Sequence, residues 1–308
     1  MKSLRFLIVG ILCVVGCGKS STEQGASLVE ARRGFTTKAV LQKGDRTPVA
    51  EPPAHLFRVV KYDSAVGKLA AYLTPAPKDG KKHPAIIWIT GGDCNTIDEG
   101  SWKEGPAEND QTASAFRKSG IVMMFPSLRG GNDNPGTKEG FFGEVDDVLA
   151  AAEYLGKQPF VDPTRIYLGG HSTGGTLVLL VAECTDRFRA VFSFGPVDDV
   201  AGYGPEFNPF DTSNPREIAL RSPGRWLAAV RNPVFVIEGK SDGNLDALQT
   251  MARASTNPNL HFLPVQGANH FSVLAPTTRL LADKILRDTG ATSNLEITEQ
   301  EVNQLFAR

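Results

Sequence analysis

Two serines stand in a G-x-S-x-G setting: Ser172 in Gly170-His171-Ser172-Thr173-Gly174, and Ser241 in Gly239-Lys240-Ser241-Asp242-Gly243. Such a serine becomes a nucleophile only in company. A histidine must take its proton, an acid must orient that histidine, and backbone N–H groups must hold the oxyanion. Where the serine rides a strand-to-helix elbow, the acid and then the histidine follow it in the chain. Ser172 meets these demands. The run RIYLGG leads in, TLVLLVAEC leads out, and Gly170, Gly174 and Gly175 clear the bend. Ser241 lies between Lys240 and Asp242 with little chain left to supply the other parts, and reads as a coincidental match.

The chain has five histidines. His55 and His83 precede the serine, His171 adjoins it and should point away, and His261 sits inside a strand pattern. His270, in QGANHF just past the last strand pattern, occupies the carboxyl end of a strand, where open α/β sheets meet their ligands. It is the expected base. The expected acid is Asp242, in VFVIEGKSDGNLD, from where a carboxylate reaches the far nitrogen of His270. Asp246, and Asp198 or Asp199 after the AVFSF run, are the alternatives. The oxyanion donors are expected to be the N–H of Thr173 and that of Gly92 or Asp93 in WITGGDCN.

The elements that must position these residues alternate. Short apolar runs recur at 85–89, 121–125, 166–168, 190–194, 234–237 and 260–265, separated by helix-length segments. In EVDDVLAAAEYL, for example, Val145, Val148, Leu149, Ala152 and Leu155 fall on one helical face. Such strands between amphipathic helices imply an α/β fold whose mostly parallel sheet is covered on both sides. Ahead of them, LFRVVKY and KLAAYLT around a turn at 64–67 read as an antiparallel hairpin. At the other end, Thr298 and Glu301 have capping-box spacing, so a last helix should begin at Thr298.

The expected organisation is a signal at 1–16, a lipidated N-terminus and flexible tether at 17–54, the catalytic domain at 55–290 and a C-terminal helical segment at 291–308. Lys2 and Arg5 precede the apolar stretch Phe6 to Val15, which is too short for a permanent bilayer span and suits an export signal. It ends in VVGC, which resembles the bacterial lipobox, making Cys17 the lipidation site. The implied location is the bacterial cell envelope, at the outer membrane where a host has two, since no aspartate follows Cys17. A net charge of −1 without a basic block argues against nucleic acid as partner. Of four cysteines, Cys94 and Cys184 remain in the domain and read as two buried thiols rather than a disulfide. No Cys/His cluster has metal-ligand spacing, and no cofactor is expected.

Taken together, SLRGGNDNPG (127–136), the stretch from Glu144 through the elbow, and LRSPGRWLAAVRNPVFVIEGKSDGN resemble the catalytic domain of the prolyl oligopeptidase family and its esterase relatives. The resemblance covers roughly residues 55–290 and implies an α/β-hydrolase fold with a sheet of about eight strands. It also supports Asp242 as the acid. Arg129 stands where family peptidases often carry an arginine, and here reads as a structural salt bridge. Two features depart from the family: only a tether precedes the hairpin where a β-propeller would be, and Thr173 follows the serine where a tyrosine is usual. The expected function is therefore a serine hydrolase acting on small carboxylic esters through an acyl-enzyme. A peptidase acting on short peptides is the alternative, and a non-catalytic envelope binding protein a weaker one.

Overall fold

The computed structural model describes residues 27–41 and 44–307. The export stretch at 6–15 and Cys17 lie outside them. The strands are β1 (Arg58–Ser64), β2 (Gly67–Leu73), β3 (His83–Ile89), β4 (Val122–Pro126), β5 (Val161–His171), β6 (Val191–Phe194), β7 (Val234–Ser241) and β8 (Leu260–Asn269). They form one sheet in the order β1-β2-β4-β3-β5-β6-β7-β8. The β1–β2 and β2–β4 pairs are antiparallel and the rest parallel, so the hairpin joins the sheet as its edge.

The helices are α1 (Leu28–Arg32), α2 (Ser114–Lys118), α3 (Glu144–Gly156), α4 (Thr173–Cys184), α5 (Pro215–Ala219), α6 (Leu245–Ala254), α7 (Leu274–Arg287) and α8 (Glu299–Gln304). The two-residue period of a strand divides each central run between two cores. Ala85, Ile87 and Ile89 pack with α3 and α4, while Ile86 and Trp88 face the side covered by α2 and α7. Both faces are sealed, so every side chain on β3 past His83 is buried. α8 begins where the sequence implied: Thr298 accepts from the Glu301 N–H at 3.1 Å and Glu301 accepts from the Thr298 N–H at 3.0 Å.

The described part of the stretch read as a flexible tether, 27–41 and 44–54, packs instead. Leu28 is fully buried against α4, Arg32 pairs with Asp146 at 2.9 Å, and the Tyr72 hydroxyl donates to the Ala50 carbonyl at 2.8 Å. Residues 37–41 run along the 208–210 segment. Ala39 bridges Phe210, the Val40 N–H donates to the Pro209 carbonyl at 2.7 Å, and Thr37 Oγ1 donates to Glu217 at 3.0 Å. Arg221, itself fully buried, holds both Thr37 Oγ1 at 2.7 Å and Glu217 at 2.5 Å. Extended backbone anchored by single contacts carries no periodicity, which is why composition alone suggested a linker.

Helix α4, which carries the elbow, also buries Glu183, with neither carboxylate oxygen partnered among the described residues. Burial pushes its carboxyl well above the usual range, so the folded protein keeps it protonated. The unfolded chain ionises it freely, so folding stability is undiminished below the unfolded pKa of about 4.5 and declines as pH rises above it. Glu183→Gln, which cannot ionise, should raise the melting temperature, and the gain should widen between about pH 5 and about pH 8. Thermal melts across that range check it; a gain that stays flat would refute the protonated state.

Candidate active site

The bend at Ser172 is built by close approach. β5 ends at His171, Ser172 follows at φ 56° and ψ −116°, and α4 starts at Thr173. A non-glycine residue held there costs on the order of 1–3 kcal/mol, a strain found where the surroundings over-determine a functional residue. Those surroundings are tight. A Cβ on Gly170 would lie 2.5 Å from the Gly174 carbonyl oxygen, and one on Gly174 would overlap the Ile89 carbonyl. The Ser172 N–H is tied to the Phe194 carbonyl of β6 at 2.8 Å. Ser172 Oγ makes no hydrogen bond among the described residues; such bonds often tighten only when substrate arrives.

Across the elbow lies the loop after β3. The Thr173 hydroxyl donates to the Gly92 carbonyl at 2.9 Å. In a trans peptide the carbonyl and the next N–H point opposite ways, so this bond turns the Asp93 N–H away from Thr173. The Gly92 and Thr173 N–H groups have no acceptor among the described residues. Thr173 is also the first residue of α4, where the helix leaves its N–H groups unpaired and partially positive. The residue that departs from the family pattern thus ties the loop after β3 to the elbow through its side chain.

His270 follows β8, as expected. Its carboxylate partner is not Asp242. His270 Nδ1 meets Glu238 Oε2 at 2.8 Å, with the Glu238 side chain fully buried and that of His270 13% exposed. Glu238 also accepts from the Gly239 N–H at 2.7 Å and the Asn244 N–H at 3.2 Å, so its charge is compensated on both oxygens. Asn244 further donates to the Gly195 carbonyl at 2.7 Å, joining the loops after β6 and β7. Asp242 sits just past the end of β7, exposed, at φ 67°, and makes no hydrogen bond to His270. Glu238 stays in the ladder opposite Pro264; past Gly239 the register shifts by two residues, β8 carrying the extra ones. Sequence reasoning passed over Glu238 because it ends an apolar strand run. The signal was present all the same, since a charge inside a buried strand requires a partner.

The alternatives fall elsewhere. Asp246 is in α6, Asp199 caps a short 3-10 turn, and Asp198 lies beside Gly224. Ser241 is exposed, and His261 stacks on Phe235 with ring centroids 4.8 Å apart. His83 pairs with Asp79 at 3.0 Å, and His55 is exposed. Arg129 turns inward: its Nε and Nη2 donate to Asp147 at 2.8 and 3.0 Å, and its Nη1 to Glu139 at 2.8 Å. It is a salt bridge that holds the 129–147 loop. Cys94 and Cys184 are free thiols; burial pushes the Cys184 thiol up to about 12 and the Cys94 thiol higher still. Among the described residues no His/Cys/Asp/Glu group could hold a metal, and no helix is long and apolar enough to cross a membrane.

Ser172 and Thr173 open onto a cavity of about 720 Å³. Gly92 to Asn95 form one wall, and Phe141, Tyr203, Phe207 and Pro209 supply apolar surface. Lys138, at its rim, is neutralised by Asp93 at 2.6 Å. The far wall belongs to the segment that residues 37–41 strap down.

A family model described as "Prolyl oligopeptidase family" matches residues 108–279. Prolyl oligopeptidase A of Galerina marginata (strain CBS 339.88) is 34% identical over 192 residues, covering 54% of this chain and 25% of that protein. The chain thus spans about a quarter of that relative's length. Among solved structures, a puromycin-hydrolyzing peptidase of Mycobacterium tuberculosis superposes at TM-score 0.59 and 22% identity, over 75% of this chain and 39% of that one. A hyperthermophilic esterase from the archaeon Pyrobaculum calidifontis superposes at TM-score 0.55 and 18% identity, over 76% and 86%. At such identities the structural likeness speaks of the fold.

Proposed function

The chain belongs to the prolyl oligopeptidase family of serine hydrolases, and on that premise we propose that it cleaves small carboxylic esters through an acyl-enzyme. The observation that carries this reading is the strained Ser172 on the floor of a partly apolar cavity, with His270 and its buried partner Glu238 on the neighbouring strand ends. In acylation Ser172 Oγ bonds to the carbonyl carbon while its proton passes to His270 Nε2. The Thr173 and Gly92 N–H groups stabilise the oxyanion. The alkoxide then leaves with the proton from His270, and water repeats the sequence to release the acid. Glu238 holds His270 Nδ1 protonated and so fixes the tautomer; Asp242, the acid read from sequence, has no part in this scheme.

The triad does not choose between ester and peptide, because both pass through the same tetrahedral intermediate. An amine must be protonated as it departs, so peptide cleavage leans harder on remote binding energy to place the scissile bond. Here the wall around Ser172 comes from short segments, 138–141 and 202–209, that bound a cavity of small-molecule size. The kcat/KM for a nitrophenyl butyrate should therefore exceed that for a proline or alanine nitroanilide. An anilide turned over as fast as the ester would restore the peptidase reading.

An envelope location through lipid on Cys17 is part of the same proposal, supported by the VVGC sequence alone. Retention of the Cys17→Ser protein in the membrane fraction would remove it.

A further inference from the structure

His171, the residue before the nucleophile, does not simply point away from the site. It ends β5, is 1% exposed, and lies with its ring centroid 4.5 Å from that of His270 and 5.6 Å from that of Phe271. Its Nε2 is 3.0 Å from the main-chain carbonyl oxygen of His270. A carbonyl only accepts, so Nε2 carries the proton and the tautomer is settled by its partner. Nδ1 is then a lone pair, buried and without a partner among the described residues. It faces the oxyanion loop: a Cβ on Gly91 would lie 3.0 Å from Nδ1 and 3.2 Å from Ser172 Cβ. One ring therefore touches three segments, the nucleophile's strand, the loop of oxyanion donors and the loop of the base.

Leaving a buried acceptor unpaired costs on the order of 1–3 kcal/mol, and a phenylalanine in the same space would avoid that cost. What phenylalanine would not supply is the Nε2–H that holds the His270 carbonyl. We propose that His171 is a positioning residue for the base: its N–H fixes the His270 main chain to the nucleophile's own strand. This rests on the hydrolase reading above. The neutral state suits the role, because a charged imidazolium against His270 would oppose the proton that His270 must accept. Burial, with His270 beside it, pushes the pKa of His171 down to about 3.

The test uses the full chain with His171→Phe and His171→Gln. Each preparation is titrated with a fluorophosphonate, so that turnover is counted per labelled serine and unfolded protein drops out. His171→Phe keeps the ring and loses the donor. Its kcat on a nitrophenyl butyrate should fall about 10- to 100-fold, the cost of a base displaced by an ångström or less, with KM within about twofold. His171→Gln returns an N–H at similar reach and should recover most of that loss. A phenylalanine variant with unchanged kcat overturns the proposal, and so does a glutamine variant as impaired as the phenylalanine one. Wild-type protein that takes no label at all would instead refute the hydrolase reading, which keeps the two failures apart.

Discussion

Replacing Ser172 with alanine should abolish fluorophosphonate labelling and lower ester turnover by about 10⁶-fold, as loss of the nucleophile does in serine hydrolases of unrelated fold. The size follows from the site's division of labour. In the proposed scheme His270, Glu238 and the oxyanion donors all serve one oxygen, and without it they have no proton to move. Binding and the oxyanion donors alone would leave a residue of catalysis. Ser241→Ala should label like the parent protein, because Ser241 is exposed and is the last residue of β7, three past Glu238. Gel fluorescence of the two variants checks the assignment directly. Labelling that survives Ser172→Ala and vanishes in Ser241→Ala would reverse it.

The second large effect concerns the acid. Glu238→Gln should cut kcat by about 10⁴-fold, the loss seen when a triad carboxylate becomes an amide and the histidine adopts the wrong tautomer. Asp242→Asn should change kcat little. The contrast is one of burial: the Glu238 side chain is fully buried and 2.8 Å from Nδ1, whereas Asp242 stands in solvent, where its field at His270 is screened. The amide at 238 would keep the acceptor for Gly239 N–H, so the strand end should hold its shape and the defect should fall on turnover. If Asp242→Asn proves the damaging change, the loop after β7 closes in the working enzyme and the sequence-based choice of acid stands.

What could be read in the chain followed from how directly each feature is written there. The sheet was legible because its inner strands, sealed on both faces, read as unbroken apolar runs, and the hairpin and the Thr298 cap were legible from local chemistry. The elbow was legible because backbone crowding leaves glycine as the residue that fits at 170 and 174. The place of His270, directly after the last strand, was legible from the apolar run before it. Glu238 was missed as the partner of His270 because a carboxylate closing an apolar run reads as the end of the strand, while the loop carboxylate after it reads as free to turn toward the histidine. The packing of residues 27–41 was missed for another reason: its partners, Asp146, Pro209, Phe210 and Glu217, are far along the chain, and no local pattern announces them.

That distance has a consequence for the order of assembly. Thr37 and Glu217 are 180 residues apart in sequence, so their bond closes a loop containing most of the sheet. Closing so long a loop costs only slightly more entropy than a short one, but its contacts become rewarding after both ends have been placed. The strap therefore belongs to the last events of folding. Until it docks, the 208–210 wall lacks its brace, and the cavity beside Ser172 is finished by residues that left the ribosome before any strand of the sheet.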